Sequence, residues 1–376
     1  MSLKGQWIGS YTGNTSGTVV LDLDETPNYY QGTAIAWSDS QEYLNSLVRI
    51  RTPSKATAQR LLQVPVTPLY GNGNVVPRQV IEQLKASQKL LFPDTADLEV
   101  ELKGGNLELS WQTPVGSFGK GCASAPKTRG GEPSELEPHR ISTWEQFKSY
   151  VNKLEKKRYI FRGQESSMWR LRTSFFRSGR ADLDRYQRED VNADINKLVS
   201  NLLPYALDLS NPQHFLSVLH LAQHYGYPTP LLDWTWSPYV AAFFAFRNSG
   251  SAKTKGSRSK VRIFKLDARQ WNESFVRADR IFPFMPHVSI LDPLAIANNR
   301  AIPQQSSSIF SNVDDIETLI RNCEQRSGVQ YLEVFDIPIQ KRDSIMHELA
   351  LMGVTAGSLF PGLDGALASL KERNFS

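Results

Sequence analysis

Tyr159-Ile160-Phe161-Arg162-Gly163-Gln164 decides how the second half of this chain folds. Three apolar residues follow the charged segment Lys153 to Arg158, so the stretch reads as a strand leaving a polar turn. It ends on an arginine directly followed by glycine. A glycine there carries no Cβ and lets backbone or ligand approach closely. The guanidinium offers a rigid fork of donors suited to phosphate or carboxylate. An arginine at a strand end also serves as a plain structural anchor, and both readings of Arg162 stand at this point.

Upstream, the first 125 residues read as antiparallel β structure, either a small barrel or a sandwich. Gly5 to Tyr11, Thr18 to Asp24 and Tyr30 to Trp37 are three strands, with turn chemistry at Gly13-Asn14-Thr15-Ser16-Gly17. Leu98 to Leu102 alternates apolar with acidic residues, and Gly104-Gly105-Asn106 turns it into Leu107 to Trp111, the clearest hairpin in the chain. A helix around Gln79 to Leu91 is expected between strands. Residues 126–140 lack apolar patterning around Lys127-Thr128-Arg129-Gly130-Gly131-Glu132-Pro133 and read as a linker. A mixed α/β domain then spans 141–376, making the whole chain α+β. Ser142 and Glu145 have capping-box spacing for a helix start.

Downstream, Arg185 to Leu209 reads as a long polar helix or helix pair, and Phe215 to Tyr225 as another ended by Gly226 and Pro228. Val240 to Phe246 is apolar on all sides and should be buried. Gly250 to Lys260 is a basic Gly/Ser loop expected to be mobile, and Val261 to Leu266 and Tyr331 to Ile337 are strands.

Composition narrows the function classes. The chain has 376 residues, 40% hydrophobic and 22% charged, as in ordinary globular protein. No apolar run is long enough to span a bilayer and no signal-peptide core opens the chain, so no membrane partner and a cytoplasmic setting are expected. Two cysteines, Cys122 and Cys323, exclude a disulfide scaffold and a four-cysteine zinc site. No His-Glu-x-x-His, Walker loop or Gly-x-Gly-x-x-Gly occurs, and no metal is expected. Residues 1–125 hold 10 Lys and Arg against 11 Asp and Glu, so of the net +5 an excess of +6 falls on residues 126–376. That asymmetry fits an anionic partner such as nucleotide or nucleic acid.

A second dense constellation follows Arg162. In Leu231-Leu232-Asp233-Trp234-Thr235-Trp236-Ser237-Pro238, an extended backbone puts Asp233, Thr235 and Ser237 on one face and both tryptophans on the other. Ser237-Pro238 opens a helix, with Ser237 as cap and Pro at the first turn. Polar groups at a strand end beside a helix N-terminus suit an anionic or ribose-bearing ligand. Capping and ligand contact by Ser237 can coexist.

These stretches resemble the FRG domain family, named for its Phe/Tyr-Arg-Gly motif. The matching blocks are Phe161 to Gln164 with Trp169 and Leu171, His224-Tyr225-Gly226 through Ala245, Asn299 to Gln305 with Phe310, and Gly353-Val354 through Gly365. They run in family order across residues 141–372. Where the family usually has Arg, this chain has Pro230, so a basic contact there is absent or supplied elsewhere. The blocks are also similar to the ADP-ribosyltransferase superfamily, whose arginine and Ser/Thr strand hold the diphosphate and ribose of NAD. The resemblance implies an ADP-ribosyltransferase-like fold and NAD or a related nucleotide as cofactor. It implies a cofactor-binding set of Arg162, Gly163, Gln164, His224, Tyr225, Asp233, Thr235 and Ser237. In that superfamily a glutamate stabilises the oxocarbenium-like centre as nicotinamide leaves. Here the third block carries Gln304-Gln305, so the implied catalytic set is Arg162, Gln305 and Glu348, with Glu165 and Glu333 as further carboxylates.

The function so implied is an NAD-dependent ADP-ribosyltransferase or NAD glycohydrolase. It would act as a bacterial toxin or anti-phage defence effector on a protein or nucleic-acid acceptor. The alternatives are a non-catalytic nucleotide- or partner-binding module and a nucleic-acid-binding protein. Gly5 to Gly9 and Leu109 to Thr113 loosely resemble avidin-like and lipocalin-like barrels, which suggests a sensing or homo-oligomerising role for residues 1–125.

Overall fold

In the computed structural model, residues 2–87, 92–114, 120–204, 207–249, 259–278, 280–296 and 298–375 are described. The basic loop expected at Gly250 to Lys260 lies, from 250 to 258, outside them. Period-two alternation in the first half has a direct outcome. Strands β1 (Gly5–Gly13), β2 (Ser16–Glu25), β3 (Tyr30–Ser38), β4 (Asn45–Arg51), β5 (Ala58–Leu69), β6 (Thr95–Lys103), β7 (Asn106–Gln112) and β8 (Lys120–Pro126) pair in sequence. β1 closes on β8 through Ser10 opposite Ser124, so the choice between barrel and sandwich resolves to a closed antiparallel barrel. The expected hairpin is present, with Leu98 opposite Trp111 and Leu102 opposite Leu107. Gly104 (φ 59°) and Gly105 (φ 90°) make its turn, where two positive φ values match the right-handed twist of the strands.

Buried side chains fill the barrel: Trp7, Tyr11, Leu21, Leu23, Tyr30, Leu98, Val100 and Leu109 belong to one apolar cluster. Trp7 donates its indole N–H to the Leu3 carbonyl at 2.8 Å, which satisfies the polar end of a buried ring. β4, β5 and β8 were not legible. β5 contains Pro65 and Pro68 and a register shift between Leu61 and Val64, and β8 is built mostly of small residues. The helix expected around Gln79 to Leu91 is Arg78–Ala86, and residues 88–91 of that expectation lie outside the described residues.

The barrel also has an apolar outside. Val20, between inward Val19 and Leu21, joins Ile35, Trp37, Leu47 and Leu69 in a cluster with Phe175, Tyr186, Leu219 and Phe310 of the second half. Polar contacts frame this seam. Asp24 Oδ1 accepts from the Ala181 and Asp182 amides at 2.6 and 3.2 Å, and Arg49 pairs with Asp184 at 2.8 Å. Gln6 donates to the Asn312 carbonyl at 2.8 Å and accepts from the Asp314 amide at 2.8 Å.

The second half contains β9 (Tyr159–Gln164), β10 (Leu231–Thr235), β11 (Lys260–Asp267), β12 (Val288–Leu291), β13 (Ser306–Ser311) and β14 (Leu332–Pro338). They form an antiparallel sheet in the order β12-β13-β10-β9-β11-β14. β9 is therefore central, and its alternation sends Ile160 and Phe161 into different cores. It pairs with β11 along its length, from Tyr159 opposite Asp267 to Gln164 opposite Arg262. With β10 it pairs only at Phe161 opposite Thr235. Beyond that pair the sheet splits.

Helices cover the sheet where apolar runs predicted burial. Pro238–Arg247 buries Val240 to Phe243, Ala245 and Phe246, and Pro212–His224 ends just before Gly226 at φ 84°. The expected polar helix runs as consecutive turns from Leu183 to Leu202, with a π-helical stretch at Tyr186–Ile195. The helix expected from Ser142 begins one residue later. Thr143 is its cap and accepts from the Gln146 amide at 3.3 Å, because the helix proper is Trp144–Val151. Among the described residues no helix is long and apolar enough to cross a membrane.

One buried group ties stability to pH. His287 contacts Ser289 Oγ through Nδ1 at 3.2 Å, and its Nε2 is buried with no partner. Burial pushes its pKa down to about 3. The folded protein keeps the ring neutral while the unfolded chain protonates near pH 6.5, so its contribution is full above pH 6.5 and lost as pH falls toward 3. The loss approaches roughly 1.4 kcal/mol per pH unit. Urea unfolding at pH 7 and pH 5 should therefore show a steeper acid loss in the wild type than in His287→Gln; equal losses would refute this source.

Candidate functional site

A cleft of about 930 Å³ opens where β9 and β10 part. Arg162, Gly163 and Gln164 line it from β9, Asp233 and Thr235 from β10, and His220, Gln223 and His224 from the helix Pro212–His224. The segment Gly130-Gly131-Glu132-Pro133 forms another wall, so residues read as linker contribute to the site.

Arg162 spans the split. Its Nη1 donates to the Asp233 carbonyl at 2.5 Å, replacing with a side chain the ladder contact that the strands do not make. Its Nε is buried with no partner. Burial pushes the guanidinium down to about 10, nearby Asp233 opposing and Arg177 adding to the shift. It remains a cation at neutral pH, held in a place where a bare charge is costly. Next to it, Gln164 is buried with Oε1 unsatisfied. Gly163 explains itself: a Cβ there would sit 1.9 Å from the Ala241 carbonyl oxygen and 2.7 Å from the Ala245 amide nitrogen. The helix Pro238–Arg247 thus packs directly on the β9 backbone.

The cations of the cleft fall into two groups. Arg170 is buried and pairs with Asp315 at 2.6 Å, and Arg172 pairs with Asp314 at 2.5 Å. Arg162, Arg177 and Arg300 have no carboxylate within salt-bridge distance among the described residues. Arg177 is exposed and donates to the Arg172 carbonyl at 2.5 Å; partial desolvation beside the cleft lowers its pKa against the pull of Asp233. Arg300 lies over the Phe360 ring, 5.2 Å from its centroid.

A short relay fixes Asp233. Thr229 Oγ1 donates to Gln223 Oε1, which forces the amide nitrogen outward to donate to Asp233 Oδ1 at 2.5 Å. His220 Nδ1 meets Asn298 Nδ2 at 3.3 Å. Burial lowers His220, against Asp233, and burial together with Arg300 lowers His224, so both rings are neutral at pH 7.

The remaining sequence candidates lie elsewhere or are engaged. Thr235 Oγ1 donates to the Gln304 carbonyl at 2.7 Å and accepts from the Ser237 amide at 3.1 Å. Ser237 caps the next helix by accepting from the Val240 amide at 3.3 Å and does not line the cleft, since β10 has already ended at Thr235. Tyr225 is 77% exposed, packs against the His224 ring and also lies outside the lining. Gln305, at φ 47°, lines a neighbouring hollow with Trp236, Lys156 and Lys157. Glu348 accepts from Trp144 Nε1 at 2.7 Å and pairs with Lys148, away from the cleft. Glu333 pairs with Lys265 at 2.8 Å. Glu165 lines the cleft and accepts from Asn248 at 3.0 Å. Gln223 and Arg177 were missed, because only the tertiary fold carries them to Asp233. Trp169, half exposed, also lines the cleft.

Residues 157–254 match the FRG domain. That span runs from β9 past the helix Pro238–Arg247, and so includes Arg162, Gly163, Gln164, Arg177, Gln223, His224 and Asp233. The FRG segment therefore supplies most of the cleft, while Arg300, Gln304 and the Gly130 to Pro133 wall come from outside it. No curated protein and no solved structure shows significant similarity to the chain.

The Gly163 contact sets a stability prediction. Gly163→Ala forces the helix or the strand to move, and overpacking of this kind costs about 1–3 kcal/mol. A lowered urea midpoint with an unchanged m-value is the expected result; an unchanged midpoint would show that the helix yields freely.

Proposed function

We propose that the cleft binds NAD or a related dinucleotide through its diphosphate, as part of an FRG-domain effector with ADP-ribosyltransferase-like chemistry. The supporting observation is the Arg162 guanidinium: half-buried, without a carboxylate partner, with Nε buried and unused, and with the acid-free Arg177 close enough to lower its pKa. Two guanidiniums held without acids favour an anion that brings at least two negative charges. Trp169 at the same cleft offers a face on which a base can stack.

In this reading Arg162 and Arg177 take the diphosphate oxygens, and His224 offers a neutral ring nitrogen to a ribose hydroxyl. Asp233, oriented by Gln223, is the carboxylate beside Arg162 that would face positive charge developing at the ribose anomeric carbon as nicotinamide leaves. That role moves to Asp233 because Gln305 and Glu348 lie outside the cleft. The toxin or anti-phage role, and the barrel as recognition or assembly module, rest on the resemblance of the four sequence blocks. A second reading, nucleotide binding without turnover, is favoured by the engagement of Glu348 with Trp144 and Lys148.

Calorimetric titration with ADP-ribose and a nicotinamide-release assay with labelled NAD separate these readings. Wild-type protein should bind ADP-ribose and release nicotinamide, and Arg162→Ala should weaken binding about tenfold or more, the scale of a lost hydrogen bond to a charged group. Asp233→Asn should retain ADP-ribose binding while slowing release. Binding without release would leave the non-catalytic reading; absence of binding would refute both.

A further inference from the structure

The diphosphate reading uses Arg162 and Arg177 and leaves one acid-free guanidinium of the cleft without a role. Arg300 lies on the segment before β13, outside the FRG match. Its backbone is fixed at both ends: its amide donates to Asn298 Oδ1 at 3.1 Å and its carbonyl accepts from the Gln304 amide at 3.1 Å. Its guanidinium is held over Phe360, so one face of the plane is covered while the donor edge stays free. His224 is close enough for Arg300 to depress its protonation, and presents a neutral ring to the same space. Asn298, itself buried, holds His220 beside them.

Surface arginines without acid partners are common, because water solvates them. Arg300 differs in three respects: it is half-buried, it lines the same cleft as Arg162, and its side chain is ordered by an aromatic ring rather than by a carboxylate. A planar fork prepared in this way loses little freedom on binding an anion, and phosphate is the group it matches best. Asp233, the carboxylate fixed on β10, is already flanked by Arg162, Arg177 and His220.

We propose that Arg300, with His224 beside it, receives a phosphate monoester on a ribose of the bound nucleotide, so that the cleft prefers a 2′-phosphorylated dinucleotide of the NADP type over NAD. The inference rests on the nucleotide reading given above. Under that reading the ligand's diphosphate occupies Arg162 and Arg177, and a ribose phosphate is the further anionic group such a ligand carries. A monoester is close to dianionic at neutral pH, which suits a guanidinium with no internal acid to displace.

Calorimetric titration of the full chain with NAD, NADP, adenosine 2′,5′-bisphosphate and adenosine 3′,5′-bisphosphate tests it. NADP should bind about tenfold or more tightly than NAD, the scale of one hydrogen-bonded charge pair. In Arg300→Gln that ratio should collapse toward one, and in Arg300→Lys it should be partly kept, with a melting curve confirming that each variant is folded. Preference between the two bisphosphates assigns the phosphate to the 2′ or the 3′ position, and so separates an NADP-type source from a coenzyme-A-type one. Equal affinity for NAD and NADP in the wild type, or a preference that survives in Arg300→Gln, would overturn the proposal while leaving the diphosphate site standing. If no nucleotide binds, the nucleotide reading itself fails.

Discussion

The bond from Arg162 Nη1 to the Asp233 carbonyl holds together two strands that would otherwise part. β9 and β10 are neighbours in the sheet, yet they share only the pair Phe161 and Thr235 before diverging. A split of this kind exposes backbone groups that need partners. The guanidinium supplies one from the side, and in doing so is itself drawn out of water. Much follows from that position: the cleft exists because the strands separate, and the cation lines it because it bridges them. Gly163 completes the arrangement by letting the helix Pro238–Arg247 lie against the strand directly behind the arginine.

The barrel and the sheet are joined by more than a connecting segment. β2 is buried on both faces, one toward the barrel interior and one toward Phe175, Tyr186 and Phe310. Along the seam, Gln6 of β1 receives the Asp314 amide, and Asp314 in turn pairs with Arg172 in the cleft wall. Gly130 to Pro133 pass along the cleft itself. Charges near the ligand space are thus anchored to the barrel by buried hydrogen bonds, which resist displacement because an unpaired partner in such a place is costly.

Legibility in the sequence followed the strength of local signals. The hairpin around Gly104-Gly105 could be read because turn chemistry and alternation agree there, and β9 and β10 because apolar runs end on distinctive polar residues. β5 could not, since Pro65, Pro68 and a bulge break its pattern. Arg162, Gly163, Gln164, His224, Asp233 and Thr235 were read as one site and do line one cleft. Ser237 shares a face with Asp233 only if the strand continues, and it does not. Gln305 comes from a matched block and Glu348 only from lying further along the chain, and neither ground carries information about where a side chain points. Arg177 and Gln223 reach the cleft through tertiary packing, and nothing in their local sequence marks them; Arg300 lies in a matched block, but only the fold shows that it faces the cleft.

The central claim is that Arg162 is an anion-binding group and more than a structural strut. A crystal structure of the protein soaked with ADP-ribose tests this most directly. The account predicts diphosphate density within hydrogen-bond distance of the Arg162 and Arg177 guanidiniums, with Arg162 Nε now partnered. Diphosphate bound elsewhere, with Arg162 Nε still unpartnered and its bond to Asp233 unchanged, would contradict it.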